Sequence, residues 1–204
     1  IPEIVELAQN NQIKIIGLHA HAGSGIQQAH HWKDIGLFLC KLAKDIPDVE
    51  IINLGGGLGV ANRPGDSQLD LKKLGEHIKE LKKSFPQYKL WLEPGRYLVS
   101  NAGVLLTKVT QLKRKGHTHY IGIDAGMNTL LRPSLYGSYH HILNLTKLDQ
   151  VSTEVINIVG PICETGDRMG IARVFPKSEE DDIILIENAG AYGKVMSSTY
   201  NLRK

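Results

Sequence analysis

Three short segments place chemically capable side chains at intervals along the first half of the chain. In His19-Ala20-His21-Ala22-Gly23-Ser24-Gly25 two histidines stand two residues apart, so on an extended strand both rings project to one face. The Gly-Ser-Gly turn behind them leaves backbone N–H groups free and Ser24 adds a hydroxyl donor, a combination suited to an anion. The same stretch also reads as a tight strand-to-helix turn with packed histidines. Asn53-Leu54-Gly55-Gly56-Gly57-Leu58-Gly59 has four glycines in five positions, which lets the backbone approach a ligand closely and adopt positive φ. It follows neither the GxGxxG nor the Walker pattern, so it does not indicate a nucleotide. Glu93-Pro94-Gly95-Arg96 offers a carboxylate able to keep a heteroaromatic nitrogen protonated and a guanidinium fork able to clamp a carboxylate or phosphate. A surface ion pair is the plainer alternative for it.

The second half carries further candidates. Asp124-Ala125-Gly126-Met127-Asn128 precedes Leu131-Arg132-Pro133-Ser134-Leu135-Tyr136, and the turn-rich run Gly160-Pro161-Ile162-Cys163-Glu164-Thr165-Gly166-Asp167 follows. Cys163, beside a carboxylate in such a loop, suits either a proton donor or a small apolar filler. Gly190-Ala191-Tyr192-Gly193 surrounds an aromatic hydroxyl with small residues. Nine histidines, including His30-His31, His117, His119 and His140-His141, raise the question of a metal. No HExxH occurs and no carboxylate keeps ligand spacing with them, so packed or solvated histidines are preferred and no metal ligand is assigned.

These groups need elements to position them. Short β-branched or bulky runs at Ile13 to His19, Glu50 to Leu54 and Lys89 to Glu93 predict strands. Helical spacing of apolar residues predicts helices over Ile26 to Lys44 and Leu69 to Phe85. This alternation is the signature of parallel βα units, with the polar clusters falling at three successive strand ends, where βα barrels place their active sites. Beyond Asn101 the text turns to strands at Val104 to Thr110, Tyr120 to Ile123, Thr153 to Val159 and Asp182 to Ile186. The expected organisation is α/β plus all-β, with one domain over 1–103 and a β-rich domain over 104–204. A closed (β/α)8 barrel takes about 250 residues. Three units therefore predict either a small open sheet or the second half of a TIM-type barrel.

With 204 residues, 42% hydrophobic and 22% charged, the chain can bury a real core, and it contains no apolar run of bilayer length. A net charge of +3 from 24 basic and 21 acidic residues builds no concentrated field, which argues against nucleic acid as well as membrane. Cys40 and Cys163 form no CxxC, in keeping with a reducing, cytoplasmic setting. Ile1-Pro2-Glu3 shows no targeting pattern and reads as cut from something longer.

In order, His-Ala-Gly-Ser-Gly, Gly-Gly-Gly, Glu-Pro-Gly-Arg, Arg-Pro-x-x-Tyr, Cys-Glu-Thr-Gly-Asp and Gly-Ala-Tyr-Gly resemble the fold-type III decarboxylases that use pyridoxal 5'-phosphate (PLP). Leu131-Arg132-Pro133, Tyr139-His140-His141 and Cys163 to Asp167 look most like the diaminopimelate decarboxylase branch. The resemblance implies decarboxylation of meso-2,6-diaminopimelate to L-lysine, the last step of lysine biosynthesis. It implies that His21 stacks on the cofactor ring and that Ser24, Gly55, Gly56, Gly57, Gly95 and Arg96 hold its phosphate. Glu93 would face the pyridine nitrogen. Arg96, Arg132, Tyr136 and Glu164 would contact the amino-acid substrate, Cys163 would reprotonate its carbon, and Tyr192 would lie near both cofactor and substrate. A homodimer with shared active sites is implied, the Cys163–Glu164 loop reaching into the partner's site.

The chain departs from the family at one place. The lysine that binds the cofactor covalently lies in a Tyr-Ala-x-Lys context upstream of the His-x-Gly-Ser motif, and Lys14 does not match it. The chain also stops short of the family's usual last strand, so by itself it is expected to be catalytically dead. Rivals are a relative acting on ornithine, arginine or carboxynorspermidine, and a non-catalytic homologue serving as a binding partner.

Overall fold

The computed structural model describes residues 2–203 and divides the chain into two compact units: 1–61 with 67–97, and 62–66 with 98–204. The first unit opens with helix α1 (Pro2–Asn10) and strand β1 (Gly17–His19), followed by α2 (His31–Leu42), β2 (Ile51–Asn53), α3 (Leu71–Ser84), β3 (Lys89–Trp91) and the short α4 (Gly95–Val99). The three strands form one parallel sheet in the order β1-β2-β3, with Leu18 beside Ile52 and Ile52 beside Leu90. Parallel pairing demands a crossover between successive strands, and α2 and α3 supply it.

Local chemistry sets the ends of these helices. The Asp70 carboxylate accepts the Lys73 N–H at 3.0 Å and starts α3. Pro86 stands just past its end. Helix α2 begins five residues later than its apolar spacing predicts. Ile26 is bound to the glycine-rich loop instead, donating to Gly57 O and accepting from Gly59 N, both at 2.9 Å. The predicted first strand is also shorter than expected: Ile13 to Ile16 lie outside it, although Ile16 O accepts from both Glu50 and Ile51. Helices α2 and α3 pack so closely that a Cβ on Gly36 would fall 2.2 Å from Leu81. Trp32, Leu39, Cys40, Ile52, Leu54, Leu74 and Leu81 form the core between helices and sheet.

The second unit is a six-stranded sheet. Its strands are β4 (Leu105–Lys115), β5 (Thr118–Ile123), β6 (Ile142–Asn144), β7 (Glu154–Val159), β8 (Arg168–Phe175) and β9 (Ile183–Ile186), in the order β6-β9-β4-β5-β7-β8. The long β4 pairs antiparallel with β9 through Leu105 to Lys108 and with β5 from Val109 onward. Strands β5 and β7 run parallel, while β7 and β8 run antiparallel. Val109, Ile121, Ile123, Leu130, Ile156, Ile158, Met169, Ile184 and Ile186 fill its core. One helical turn, α5 (Arg132–Tyr136), interrupts the strands; Pro133 stands in its first turn and Gly137, at φ 62°, ends it. No helix among the described residues is long and apolar enough to cross a membrane.

Candidate functional site

In the first unit the three C-terminal strand ends converge, as their motifs predict. Asn53, the last residue of β2, ties the arrangement together: its Nδ2 donates to Glu93 Oε1 at 2.8 Å and its Oδ1 accepts the Gly55 N–H at 3.0 Å. His19 Nε2 lies 3.5 Å from the other Glu93 oxygen. Glu93 is thus oriented from two sides, yet its side chain is 54% exposed, leaving the carboxylate open to a ligand. The Glu93 N–H in turn donates to Gly55 O at 2.9 Å.

The glycines are required by contact, not by flexibility alone. A Cβ on Gly56 would lie 2.1 Å from Glu93 O, and one on Gly57 would lie 2.0 Å from Gly23 O with φ at +84°. The Gly56 N–H donates to His21 Nδ1 at 3.1 Å, which fixes that ring and makes Nδ1 an acceptor. Behind it, the buried Trp32 Nε1–H donates to Gly56 O at 3.1 Å. Arg96, in α4 one residue after Gly95, reaches the Ser24 hydroxyl at 3.4 Å. His21, Ser24, Gly55, Gly56, Gly57, Glu93, Gly95 and Arg96 therefore all belong to one set of neighbouring strand ends.

The second unit holds the other candidates in two groups. The Arg132 guanidinium sits 5.7 Å from the Tyr136 ring centroid and 5.3 Å from that of Tyr192, and it donates to the Ser138 hydroxyl at 3.2 Å. Cys163 and Glu164 occupy the loop between β7 and β8, and both are exposed. Glu164 Oε2 accepts from the Tyr200 hydroxyl at 3.4 Å. Asp167, 3% exposed, holds this loop by accepting the Ile162 N–H at 2.7 Å.

Asn53, Trp32 and Asp167 carry the positioning load and were not singled out by residue type. The signal for Asn53 is a lone amide ending an apolar strand directly before glycines. Among the described residues, no group of three or more His, Cys, Asp or Glu could hold a metal ion.

The profile described as "Pyridoxal-dependent decarboxylase, pyridoxal binding domain" matches residues 1–100. The one described as "Pyridoxal-dependent decarboxylase, C-terminal sheet domain" matches 76–190. The diaminopimelate decarboxylase of Aquifex aeolicus is 38% identical over 195 residues, covering 94% of this chain and 46% of that protein. A solved Aquifex aeolicus structure superposes with a TM-score of 0.88 at 37% identity, over 99% of this chain and 51% of that one. The diaminopimelate decarboxylase of Helicobacter pylori, solved with L-lysine, gives a TM-score of 0.84 at 29% identity, over 98% and 51% of the two chains. The chain spans about half the length of these relatives. With a sheet-domain match across more than half its residues, this chain belongs to the pyridoxal-dependent decarboxylase family.

Proposed function

We propose that the protein containing this chain is a PLP-dependent carboxy-lyase that converts meso-2,6-diaminopimelate to L-lysine and CO2. The observation that carries the reading is the convergence of His21, the Gly55–Gly57 loop and an oriented, open Glu93 at adjacent parallel strand ends.

The residues fit the cofactor. Ser24, the loop N–H groups and Arg96 form a donor set for a phosphate. His21 presents a ring held by Gly56, and Glu93 presents an acceptor for a protonated pyridine nitrogen. PLP supplies an electron sink for the charge left when CO2 departs. Glu93 keeps the ring nitrogen protonated, and Asn53 and His19 keep Glu93 aimed.

Arg96 and Arg132 take substrate carboxylates, with Tyr136 and Tyr192 backing the Arg132 guanidinium. Glu164 takes the distal ammonium, and Cys163 delivers a proton to the substrate carbon. By the family resemblance, Tyr192 would also border the cofactor. A homodimer with shared sites suits a Cys163–Glu164 loop whose side chains are exposed. The division into a cofactor-binding half-barrel over 1–103 and a β domain over 104–204 is part of the same reading. So is a cytoplasmic location, which two free cysteines support.

The test is to supply the complete polypeptide with PLP and meso-diaminopimelate and to assay L-lysine by chromatography. Lysine that appears only with added PLP is the expected result. PLP bound without lysine would move the reading to another decarboxylase substrate or to a non-catalytic binding role.

A further inference from the structure

The second unit contains a cleft of about 520 Å³ that the proposed chemistry does not use. Arg63, Arg168 and Arg173 line it together with Tyr139 and His141, and no Asp or Glu is among its lining residues. The Arg173 guanidinium lies 3.6 Å from the Tyr139 ring centroid, and that of Arg63 lies 4.7 Å from the same centroid. Two cations thus share one aromatic ring. His141 is met by Glu187 at 3.4 Å, while the Arg168 Nε–H goes to the Thr165 carbonyl and one Arg173 N–H to the His140 carbonyl. The Arg173 Nε is buried and has no acceptor.

Such an arrangement is costly as it stands. A buried N–H without an acceptor loses its hydration with nothing in return. Burial holds the Arg173 guanidinium below the usual arginine range; the charge of Arg63 adds to that effect, and Tyr139 opposes it. Like charges around a concave wall focus a positive potential into it. An oxyanion in the cleft would relieve the repulsion among the Arg63, Arg168 and Arg173 guanidinium groups that line it.

We propose that this cleft binds a small molecule bearing an oxyanion, phosphate or carboxylate, and that its occupant biases Arg132. The link runs through Ser138, which lines the cleft and accepts a hydrogen bond from Arg132 at 3.2 Å. Gly137, in the left-handed conformation, holds Ser138 directly behind α5. The binding stands on the cleft alone. Only the effect on Arg132 rests on the substrate role proposed above.

The experiment is isothermal titration of the complete, PLP-loaded protein with inorganic phosphate and, separately, with succinate, at constant ionic strength set with chloride. Loading with PLP fills the cofactor's own phosphate site. Saturable binding of at least one probe is expected, weakened about tenfold in Arg63→Ala, the loss of one charge-assisted contact. The exposed loop position of Arg63 keeps folding out of the comparison. Arg173→Met serves as the second variant, and the exposed Lys113→Ala should bind as the parent does. Which probe binds decides between phosphate and carboxylate. No saturable binding of either, or equal binding by parent and Arg63→Ala, overturns the site. Binding without any change in the KM for diaminopimelate removes the coupling to Arg132 and leaves the site.

Discussion

The carboxylate of Asp167 accepts the backbone N–H of Met127 at 2.7 Å, joining two loops far apart in sequence. Its other oxygen takes the Ile162 N–H, so one buried side chain clasps both the loop after β5 and the loop that carries Cys163 and Glu164. Gly126 and Gly160 make room for it; a Cβ on either would meet an Asp167 oxygen at 2.6 Å or less.

Asp167→Asn should therefore cost about 1–3 kcal/mol, since the amide keeps one acceptor and turns a donor toward the other N–H. Urea unfolding of the complete protein checks this. Burial pushes the Asp167 carboxyl above its ordinary value of 3.8, against the opposing pull of the Ile162 and Met127 N–H groups and of Arg203. A raised folded-state pKa means that the folded protein binds this proton more tightly than the unfolded chain. The associated stability is full below 3.8 and is lost as pH rises through the raised value. The stability difference between parent and Asp167→Asn should shrink over that window, and a difference that grows with pH would contradict the assignment.

Gly57→Ala should damage both fold and cofactor binding. The new methyl meets Gly23 O and the residue keeps a φ of +84°, at a cost of about 2–4 kcal/mol. Fluorescence titration with PLP should show weakened binding beside a lowered unfolding midpoint. Gly65→Ala, also at positive φ but with open space around it, should show only the conformational part.

Glu93→Gln should leave PLP bound while kcat falls at least about a hundredfold, because the amide cannot hold a proton on the ring nitrogen. Asn53→Ala removes the bond that aims Glu93 and should lower kcat in the same direction but less steeply. A Glu93→Gln enzyme with parental kcat would remove the carboxylate from the chemistry.

Arg132→Lys keeps the charge but loses the planar fork that lies 5.7 Å from the Tyr136 ring centroid and 5.3 Å from that of Tyr192. The expected outcome is a KM for diaminopimelate raised about tenfold or more, with a smaller change in kcat. Steady-state kinetics on the complete enzyme separates the two.

The parallel strands and their polar ends were legible because short apolar runs lead into Gly23, Gly55 and Gly95, a pattern each βα unit carries within its own stretch of sequence. The start of α2 was not. Its apolar spacing continues back to Ile26, and only the hydrogen bonds of Ile26 to Gly57 and Gly59 hold that segment extended. Strand β8 was hidden as well. Gly170, Ala172 at φ 50° and the inward Arg173 break its alternation, and Asn157 caps the irregularity by accepting the Ala172 N–H. Strand β6 was missed too, since its place in the sheet comes from pairing Ile142 with Ile186 of β9, far along the chain. In the site, Glu93 and His21 follow from their positions, whereas Asn53, Trp32 and the Arg63–Tyr139–Arg173 stack depend on contacts between distant segments.

Parallel measurement of CO2 release from meso-diaminopimelate, ornithine, arginine and lysine by the complete, PLP-loaded protein tests the central claim most directly. Release from diaminopimelate far exceeding that from the other three is the predicted result. Equal or greater release from ornithine, arginine or lysine would contradict the assignment of Arg132 and Glu164 to the distal amino-acid end of diaminopimelate.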